Sequence, residues 1–426
     1  MRPLFNMRTS LSLVLMLFVV LVLGEAPDAS AQEDDVFQTL EHIVEPGDTW
    51  TALSIRYAQQ RDALQRVNWH PNPSRNPPIG DAIAIPAIGA DARTGVIHRA
   101  GYGGLLQLAA LTNQSPWSLA TLNGLAHPFR PLFHRPIFIP DSERVPRDLP
   151  RGFQTLELSA VPAQPGWSLA FRAGAEDVTA VEAQLGSARF ESFVRLPHIV
   201  GLGGTGAFFS PGAPELTIVV EDTFLWSQPW RLQPGNWDFD QITLTGEAAA
   251  IDQEAIAAER ERMFQIWSQV TPQPLYQAAF RRPIDDFLSI SSTYGARRSY
   301  NGGPYRTYHE GVDFSAFKGA PVLASGDGIV ALAEHLYVRG GAVVIDHGLG
   351  IYSGYYHMSA VHVAPGAPVK AGELIGEVGS EGLSSGNHLH WDLLVAGTWV
   401  DAATWHQQNL ACWILEGLGT TCVDQP

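Results

Sequence analysis

Cysteine and basic residues are both scarce in this chain of 426 residues. The two cysteines, Cys412 and Cys422, lie close together near the C-terminus. In an exported protein such a pair predicts one disulfide that closes a small loop, with a two-cysteine metal site as the alternative. The chain has 27 Lys and Arg against 43 Asp and Glu, a net charge of −16. This balance argues against a nucleic-acid-binding protein, which carries a basic surface, but it leaves a polysaccharide partner open.

Long hydrophobic runs are absent from the sequence beyond its first 31 residues. There, Arg2 and Arg8 precede the apolar stretch Leu11 to Leu23, and Ala29-Ser30-Ala31 supplies a small-x-small cleavage pattern. This pattern predicts a signal peptide over residues 1–31. The alternative is an uncleaved membrane anchor, but the 13 residues of the run are fewer than the roughly 20 needed to span a bilayer. We therefore expect an exported protein, in the cell wall, periplasm or extracellular space, with no transmembrane segment after cleavage.

The length predicts several domains, and 45% apolar content with 10% aromatics is ample for folded cores. Residues 150–246 contain short apolar runs between turn signals, which predicts an antiparallel β domain. Residues 247–270 are rich in Ala and Glu and predict a linker helix whose Glu-Arg-Glu-Arg segment faces solvent. Residues 271–426 return to short strands with frequent Gly and Pro, which predicts a second antiparallel β domain. The fold class is therefore multidomain and mainly β.

An internal repeat occupies residues 41–88 and 95–141. Gly47 and Gly101 are 54 positions apart, and Asn68 and Asn123 are 55 apart, so the offset holds across the unit. Each copy reads strand, helix, helix, strand. Both resemble LysM domains, small βααβ modules that bind glycans such as peptidoglycan, and the segment PGDTW carries the first match. The second diverges at Tyr102-Gly103, where the family has an acidic and a hydroxyl residue, and this weakens its expected glycan binding. The alternative is that both copies are structural spacers.

Potential metal ligands cluster in the C-terminal domain. His309 and Asp313 lie at i and i+4 in a segment that reads as extended chain, so a bend at Gly311 is expected to bring them together. In the segment GNHLHWDLL, His388 and His390 are two apart and therefore share one face of a strand. Two imidazoles, one carboxylate and an open fourth position are typical of a catalytic zinc site.

These motifs resemble those of the lysostaphin-like, or LytM-type, zinc endopeptidases of bacterial cell walls, over about residues 285–399. The HxxxD motif of that family matches His309 to Asp313, and its HxH motif matches His388 to His390. A further family histidine, in a strand after an Ile-Asp-His-Gly turn, matches His357. The resemblance implies that Zn²⁺ is bound by His309, Asp313 and His390, and that His357 and His388 are catalytic.

The sequence therefore predicts a secreted zinc metalloendopeptidase that hydrolyses peptide cross-links of bacterial peptidoglycan and is targeted to the wall by LysM repeats. One alternative is a non-catalytic cell-wall-binding regulator of murein hydrolases, because some family members have lost their metal ligands. Another is a glycan-binding protein with a silent C-terminal domain. The presence of all five motif residues argues against both alternatives. The resemblance leaves the cleaved bond open, as well as a latent state in which upstream segments cover the metal.

Overall fold

The computed structural model describes residues 39–69, 72, 74–86, 93–99, 104–129, 132, 135–141, 144–243 and 252–423. The predicted signal peptide, residues 1–31, lies outside these residues, as do Tyr102 and Gly103. Across the described part of the chain, no helix is long and apolar enough to cross a membrane. Strands outnumber helices there, 24 to seven, which confirms the mainly β prediction.

Each of the two repeated segments folds as a strand, two helices and a second strand, with the two strands paired antiparallel. Thr49 caps the first helix by accepting a hydrogen bond from the Ala52 amide, and Ser115 caps the fourth helix ahead of Pro116. The order agrees with the predicted repeat, and its LysM identity stays a prediction. The elements are β1 Leu40–Ile43, α1 Trp50–Tyr57, α2 Arg61–Val67, β2 Ala82–Ile85, β3 Gly95–Arg99, α3 Gly104–Leu111, α4 Pro116–Leu122 and β4 Pro136–Pro140.

Asn68 and Asn123 explain why an asparagine recurs at the same offset in both copies. The Asn68 side chain donates to the carbonyls of Leu64 and Ala84 and accepts from the Ala84 amide. Asn123 makes the same three hydrogen bonds, with Leu119 and Phe138. One amide side chain therefore ties the end of a helix to the returning strand, using both its donor and its acceptor.

The first repeat docks against the middle domain through the loop that carries the PGDTW motif. Its residues Pro46 to Trp50 are all buried. The Gly47 amide donates to the Gln228 side chain at 2.8 Å, and the Gln228 amide group donates in turn to the carbonyls of Asp48 and Pro77. Arg231 pairs with Asp81 through two hydrogen bonds of 2.6 Å. The loop is therefore part of an interface within the chain.

The middle domain is a seven-stranded antiparallel sheet, as predicted, with the strand order β11-β10-β7-β8-β9-β6-β5. Alternate residues point into its core: Leu216, Ile218 and Val220 on one strand are buried, and their neighbours are half-buried. The strands are β5 Glu157–Leu158, β6 Ser168–Gly174, β7 Val181–Leu185, β8 Ala188–Arg195, β9 His198–Gly204, β10 Glu215–Val220 and β11 Phe224–Pro229.

The last strand of the segment predicted as the middle domain, β12 Phe239–Ile242, does not join that sheet. It pairs in parallel with β14 Arg297–Tyr300, in a three-stranded sheet completed by β15 Thr307–Tyr308. Phe239 packs edge-on against Tyr305, with ring centroids 5.2 Å apart. The predicted boundary at residue 246 therefore differs from the structure, because the partners of this strand lie in the C-terminal domain.

The predicted linker helix is α5 Gln253–Trp267, capped by Asp252. It packs on the C-terminal domain: Met263 and Trp267 are buried in a cluster with residues that include Leu336 and Leu394. The expectation that its Glu-Arg-Glu-Arg segment faces solvent is wrong at Glu259, which is 6% exposed. Glu259 accepts hydrogen bonds of 2.7 Å from the Val338 amide and from the Arg339 guanidinium.

The C-terminal domain is built on a ten-stranded antiparallel sheet. Seven of its strands follow the path β13-β16-β23-β20-β19-β18-β21, and the other three pair beside it, β22 with β17 and β20, and β24 with β23. Two short helices follow it, and Cys412 and Cys422 form the predicted disulfide, so they are not metal ligands. The remaining elements are β13 Ser289–Ser292, β16 Gly311–Ser315, β17 Pro321–Leu323, β18 Gly328–Leu336, β19 Gly340–Gly348, β20 Ile351–Val361, β21 Pro368–Val369, β22 Leu374–Val378, β23 His388–Val395, β24 Thr398–Val400, α6 Ala402–Gln408 and α7 Leu410–Gly417.

Candidate metal centre

Two adjacent central strands bring the predicted ligands together. Asp313 on β16 pairs directly with His390 on β23, and Leu389 and Trp391 turn to the opposite, core-facing side. The Asp313 Oδ1 atom lies 2.8 Å from Nδ1 of His390 and 3.1 Å from Nε2 of His309. The two imidazole nitrogens are 3.0 Å apart. Three potential ligand atoms from the predicted residues therefore converge on one point.

His309 reaches this point because the chain leaves the sheet before Gly311. The β16–β23 ladder is regular from Gly311 onward, and His309 exchanges backbone hydrogen bonds with Gly295 and Ala296 instead. The bend therefore lies at residues 309–310 and not at Gly311, where the sequence led us to expect it. Gly311 is needed for space: a Cβ there would lie 2.4 Å from the Trp391 carbonyl oxygen and 2.7 Å from His390 Nε2.

The geometry of the three ligand atoms fits a zinc ion. Ligands about 2.0–2.1 Å from a tetrahedral zinc are about 3.3 Å from one another, close to the spacing seen here. The Nδ1 atom of His309 lies 2.9 Å from the Ser292 hydroxyl and 3.0 Å from the Thr293 carbonyl. Because the carbonyl can only accept, Nδ1 carries the proton and Nε2 keeps the lone pair that a metal needs. His309, Asp313 and His390 would thus hold the ion.

Burial and hydrogen bonding favour the protonation states that bind metal. Burial lowers the pKa of His309 and lowers that of His390 to about 3, so both imidazoles are neutral near pH 7. Burial alone would raise the pKa of Asp313, but the adjacent imidazoles of His309 and His390 outweigh it and hold that pKa below its ordinary value. The site therefore presents two neutral imidazoles and one carboxylate.

The predicted catalytic residues His357 and His388 lie beside the ligands, with ring centroids 4.7 Å apart. Each has its Nδ1 atom next to a backbone carbonyl, that of Glu381 at 2.8 Å for His357 and that of Gly386 at 2.9 Å for His388. These contacts place the ring proton on Nδ1 and leave Nε2 to face the cleft. Burial lowers the pKa of His357 to about 4, which keeps its imidazole neutral near pH 7.

A β-bulge directs His357 into the cleft. Tyr356 pairs with His390, so regular alternation along β20 would place His357 on the opposite face of the sheet. The β19–β20 register shifts between Gly341 and Val343, and His357 has φ +64°. This left-handed conformation is uncommon for a residue with a side chain. The extra residue turns the imidazole to the face that carries His388 and His390.

The linker helix reaches the same bulge through a turn. The His357 amide donates to the Arg339 carbonyl at 2.8 Å. Arg339 and its neighbour Val338 are held by the buried carboxylate of Glu259. The helix upstream of the domain therefore supports the backbone that carries His357.

Two of the predicted ligands, Asp313 and His390, line a cleft of about 660 Å³ together with His357 and His388, while His309 is buried behind them. One wall comes from β12, which precedes the C-terminal domain in sequence, and the opposite wall from the loop before β23. The lining residues that the motifs did not indicate include Asp240, Ser292, Arg298, Tyr300, Leu383 and Ser384. Asp240, Arg298 and Tyr300 carry no local sequence signal, because Asp240 comes beside the other two only through the parallel β12–β14 pairing.

Two other polar residues near the motifs lie outside the cleft. His347 is fully buried, with Nδ1 2.7 Å from the Asp327 carbonyl and Nε2 2.7 Å from the Ser353 hydroxyl, so it is structural. Glu310, next to a ligand, lines a separate pocket of about 430 Å³ with Trp267 and Trp399. Neither side chain faces the metal ligands.

The C-terminal domain is similar in sequence to metallopeptidase domains. Residues 307–402 match the model of peptidase family M23, and this span contains all five predicted site residues. The match confirms the LytM-type resemblance for this catalytic domain.

Curated relatives share the same region. The peptidoglycan DD-endopeptidase ShyA of Vibrio cholerae is 39% identical over 127 residues, 30% of this chain and 30% of the relative. The DD-carboxypeptidase/endopeptidase Mpg of Neisseria meningitidis is 40% identical over 111 residues, 26% of this chain and 25% of the relative. The chain thus spans less than a third of the length of these relatives. The catalytic domain of lysostaphin from Staphylococcus simulans is 28% identical, covering 31% of this chain and 92% of that one, with a TM-score of 0.23.

Proposed function

We propose that this chain is an exported zinc metalloendopeptidase that hydrolyses peptide cross-links of bacterial peptidoglycan. The observation that carries the proposal is the convergence of His309, Asp313 and His390, with ligand atoms 2.8–3.1 Å apart, on a cleft that also holds His357 and His388. Relatives of the catalytic domain are named DD-endopeptidases, and we assign a cross-link of that type as the substrate.

His388 is the proton carrier in this proposal. Zinc, when bound, supplies a Lewis acid that polarises the scissile carbonyl group. The Nε2 atom of His388 lies 3.8 Å from Asp313 Oδ1, beside the ligands, and its Nδ1 proton is directed to the Gly386 carbonyl. Nε2 can therefore accept a proton from an attacking water molecule and return it to the leaving amine nitrogen.

His357 has a different task because its imidazole stays neutral. Its Nδ1 proton is committed to the Glu381 carbonyl, so Nε2 acts as a hydrogen-bond acceptor in the cleft. We assign it to orient the attacking water or an amide N–H of the substrate. The bulge at His357 is consistent with a side chain held for this purpose.

Export and wall targeting complete the proposal. The signal peptide of residues 1–31 directs the chain out of the cytoplasm, and the LysM-like repeats at 41–88 and 95–141 hold it on glycan strands. A non-catalytic regulator of murein hydrolases is the competing function. The intact donor set and the two further histidines favour the enzyme, since a regulator needs neither.

The deciding experiment is digestion of purified peptidoglycans that differ in cross-link type, with fragments identified by mass spectrometry. We expect cleavage of DD cross-links, loss of cleavage in chelator and recovery on adding zinc. The His390→Ala variant is the matched control for the metal centre. Full binding to the wall without cleavage of any cross-link would favour the regulator instead.

A further inference from the structure

We propose that Asp240, on β12 upstream of the catalytic domain, is a positioning residue for the metal centre. The inference rests on the zinc site of the proposed function and not on its substrate. Asp240 lies at the cleft wall and reaches two of the three ligands, each through one intervening side chain. The affinity of the site for zinc therefore depends on a strand that the catalytic motifs do not include.

The first path leads to His309. The Ser292 hydroxyl donates to Asp240 Oδ2 at 2.8 Å, and its oxygen lies 2.9 Å from Nδ1 of His309. Because the serine proton is given to the carboxylate, the serine oxygen is the acceptor for the imidazole proton. Together with the Thr293 carbonyl, 3.0 Å from the same nitrogen, this contact holds the His309 tautomer with the Nε2 lone pair toward the metal and makes that nitrogen more basic.

The second path leads to Asp313. The Arg298 Nη2 atom lies 3.3 Å from Oδ2 of Asp313, and Arg298 Nε lies 4.0 Å from Oδ2 of Asp240. Arg298 thus occupies the outer oxygen of Asp313 and leaves Oδ1, the oxygen that faces both imidazoles, for the metal. The Asp240 carboxylate is a second anion beside the Arg298 guanidinium. It attracts the guanidinium and so helps to hold it between Asp240 and Asp313.

The backbone fixes Asp240 at this place through a pairing between distant segments. Asp240 lies directly opposite Arg298 in the parallel β12–β14 ladder, and Ser292 ends β13, an outer strand on the path of the ten-stranded sheet. Any displacement of β12 would therefore remove both contacts at once and weaken metal binding without touching a ligand.

The test measures zinc affinity in the full chain by competition with a chromophoric chelator. We expect Asp240→Ala and Ser292→Ala to weaken zinc binding by about 10–100-fold, the usual effect of losing a partner of a ligand. Ser292→Thr keeps the hydroxyl and should restore most of the affinity. Because both residues act in part along one path, the double variant should lose less than the product of the two single effects.

Asp238→Ala is the matched control. Asp238 lies on the same segment and accepts a hydrogen bond of 2.8 Å from the Thr293 hydroxyl. Thr293 contacts His309 only through its backbone carbonyl, which this substitution leaves in place. We expect it to keep the zinc affinity of the unmodified chain. Thermal unfolding with and without zinc separates positioning from folding. Loss of positioning reduces the rise of the unfolding midpoint that zinc causes, whereas a folding defect lowers the midpoint of the metal-free protein. Should Asp240→Ala misfold, Asp240→Asn keeps the shape and tests the charge.

The inference is overturned if Asp240→Ala and Asp240→Asn both bind zinc as tightly as the unmodified chain, or if Asp238→Ala loses as much affinity. These results are independent of whether peptidoglycan is cut. If the unmodified chain binds zinc but cleaves no cross-link, the proposed function is wrong, but the role of Asp240 in zinc binding is unaffected. An unmodified chain that binds no zinc would sink both.

Discussion

His388 and His390 lie two residues apart on one face of β23, but their imidazoles have different neighbours. His390 Nδ1 is 2.8 Å from Asp313 Oδ1 and 3.0 Å from Nε2 of His309. His388 Nε2 is 3.8 Å from the same carboxylate oxygen, and its ring packs against that of His357 instead. One strand face thus carries the proposed metal ligand His390 and the proposed catalytic residue His388.

This difference predicts opposite outcomes for the two alanine variants. His390→Ala removes a ligand atom, so the purified protein should contain zinc well below one ion per chain. His388→Ala leaves the three ligand atoms in place and should keep about one zinc, yet slow cleavage by about 10²–10⁴, the usual effect of a positioned acid or base. Elemental analysis and the rate of cross-link cleavage check both. If His388→Ala lost zinc as readily as His390→Ala, the assignment of roles would be wrong.

The convergence of His309, Asp313 and His390 could be predicted from sequence because both motifs are local. His388 and His390 share a face through strand alternation, and the His309–Asp313 spacing needs one bend in the chain. The position of that bend was predicted wrongly. Spacing alone does not show that Gly311 is required by the close approach of the His390 ring.

The surroundings of the ligands could not be predicted, for physical reasons that differ from residue to residue. His357 faces the cleft through a β-bulge, and no local rule reveals a bulge in an otherwise regular strand. Asp240 depends on a parallel pairing across more than fifty residues. Glu259 is surrounded by charged neighbours in sequence, and its burial follows from a partner, Arg339, eighty positions away.

Gly311 should be the least replaceable glycine of the site. In Gly311→Ala the added methyl group would meet the Trp391 carbonyl and the His390 ring, so either the β16–β23 ladder or the imidazole must move. We expect a loss of at least about 2 kcal/mol in the free energy of unfolding and weaker zinc binding. Chemical denaturation of the metal-free protein and zinc competition measure the two effects.

Gly386→Ala is the control for this substitution. Gly386 lies two residues before His388, and a Cβ there would have no atom within 4 Å. Both measured quantities should stay close to those of the unmodified chain. Equal behaviour of the two variants would mean that the space beside His390 is not limiting.

The buried His347 should make stability depend on pH. Burial lowers the pKa of His347 to about 4, below the ordinary 6.5 that applies in the unfolded chain. The unfolded state therefore binds the proton first, and stability is lost as the pH falls from about 6.5 to about 4. The shift corresponds to roughly 3 kcal/mol. The difference in unfolding free energy between the unmodified chain and His347→Asn should shrink by about this amount between pH 7.5 and pH 4.

The pH dependence must be measured as a difference between the unmodified chain and His347→Asn, because Asp392 changes stability with pH in the opposite direction. Burial raises the pKa of Asp392 to about 7, so its contribution to stability is lost as the pH rises from about 4 to about 7. Asp392 is present in both proteins, and its effect cancels in the difference. Chelator in every sample removes the contribution of metal release. A difference that stays constant with pH would show that His347 is not held neutral by burial.

The second repeat should contribute to wall binding, although its sequence match is the weaker one. The PGDTW loop of the first repeat is buried against the middle domain. On the second, Trp117 is 57% exposed and Phe129 is 64% exposed, with ring centroids 6.1 Å apart. Exposed aromatic faces of this kind can pack on the apolar face of a sugar ring.

We expect Trp117→Ala to lower retention on insoluble peptidoglycan several-fold while cleavage of a small soluble substrate stays unchanged. Leu225→Ala, which removes an equally exposed apolar side chain from the middle domain, is the control. Unchanged retention of Trp117→Ala would leave this repeat as a structural spacer.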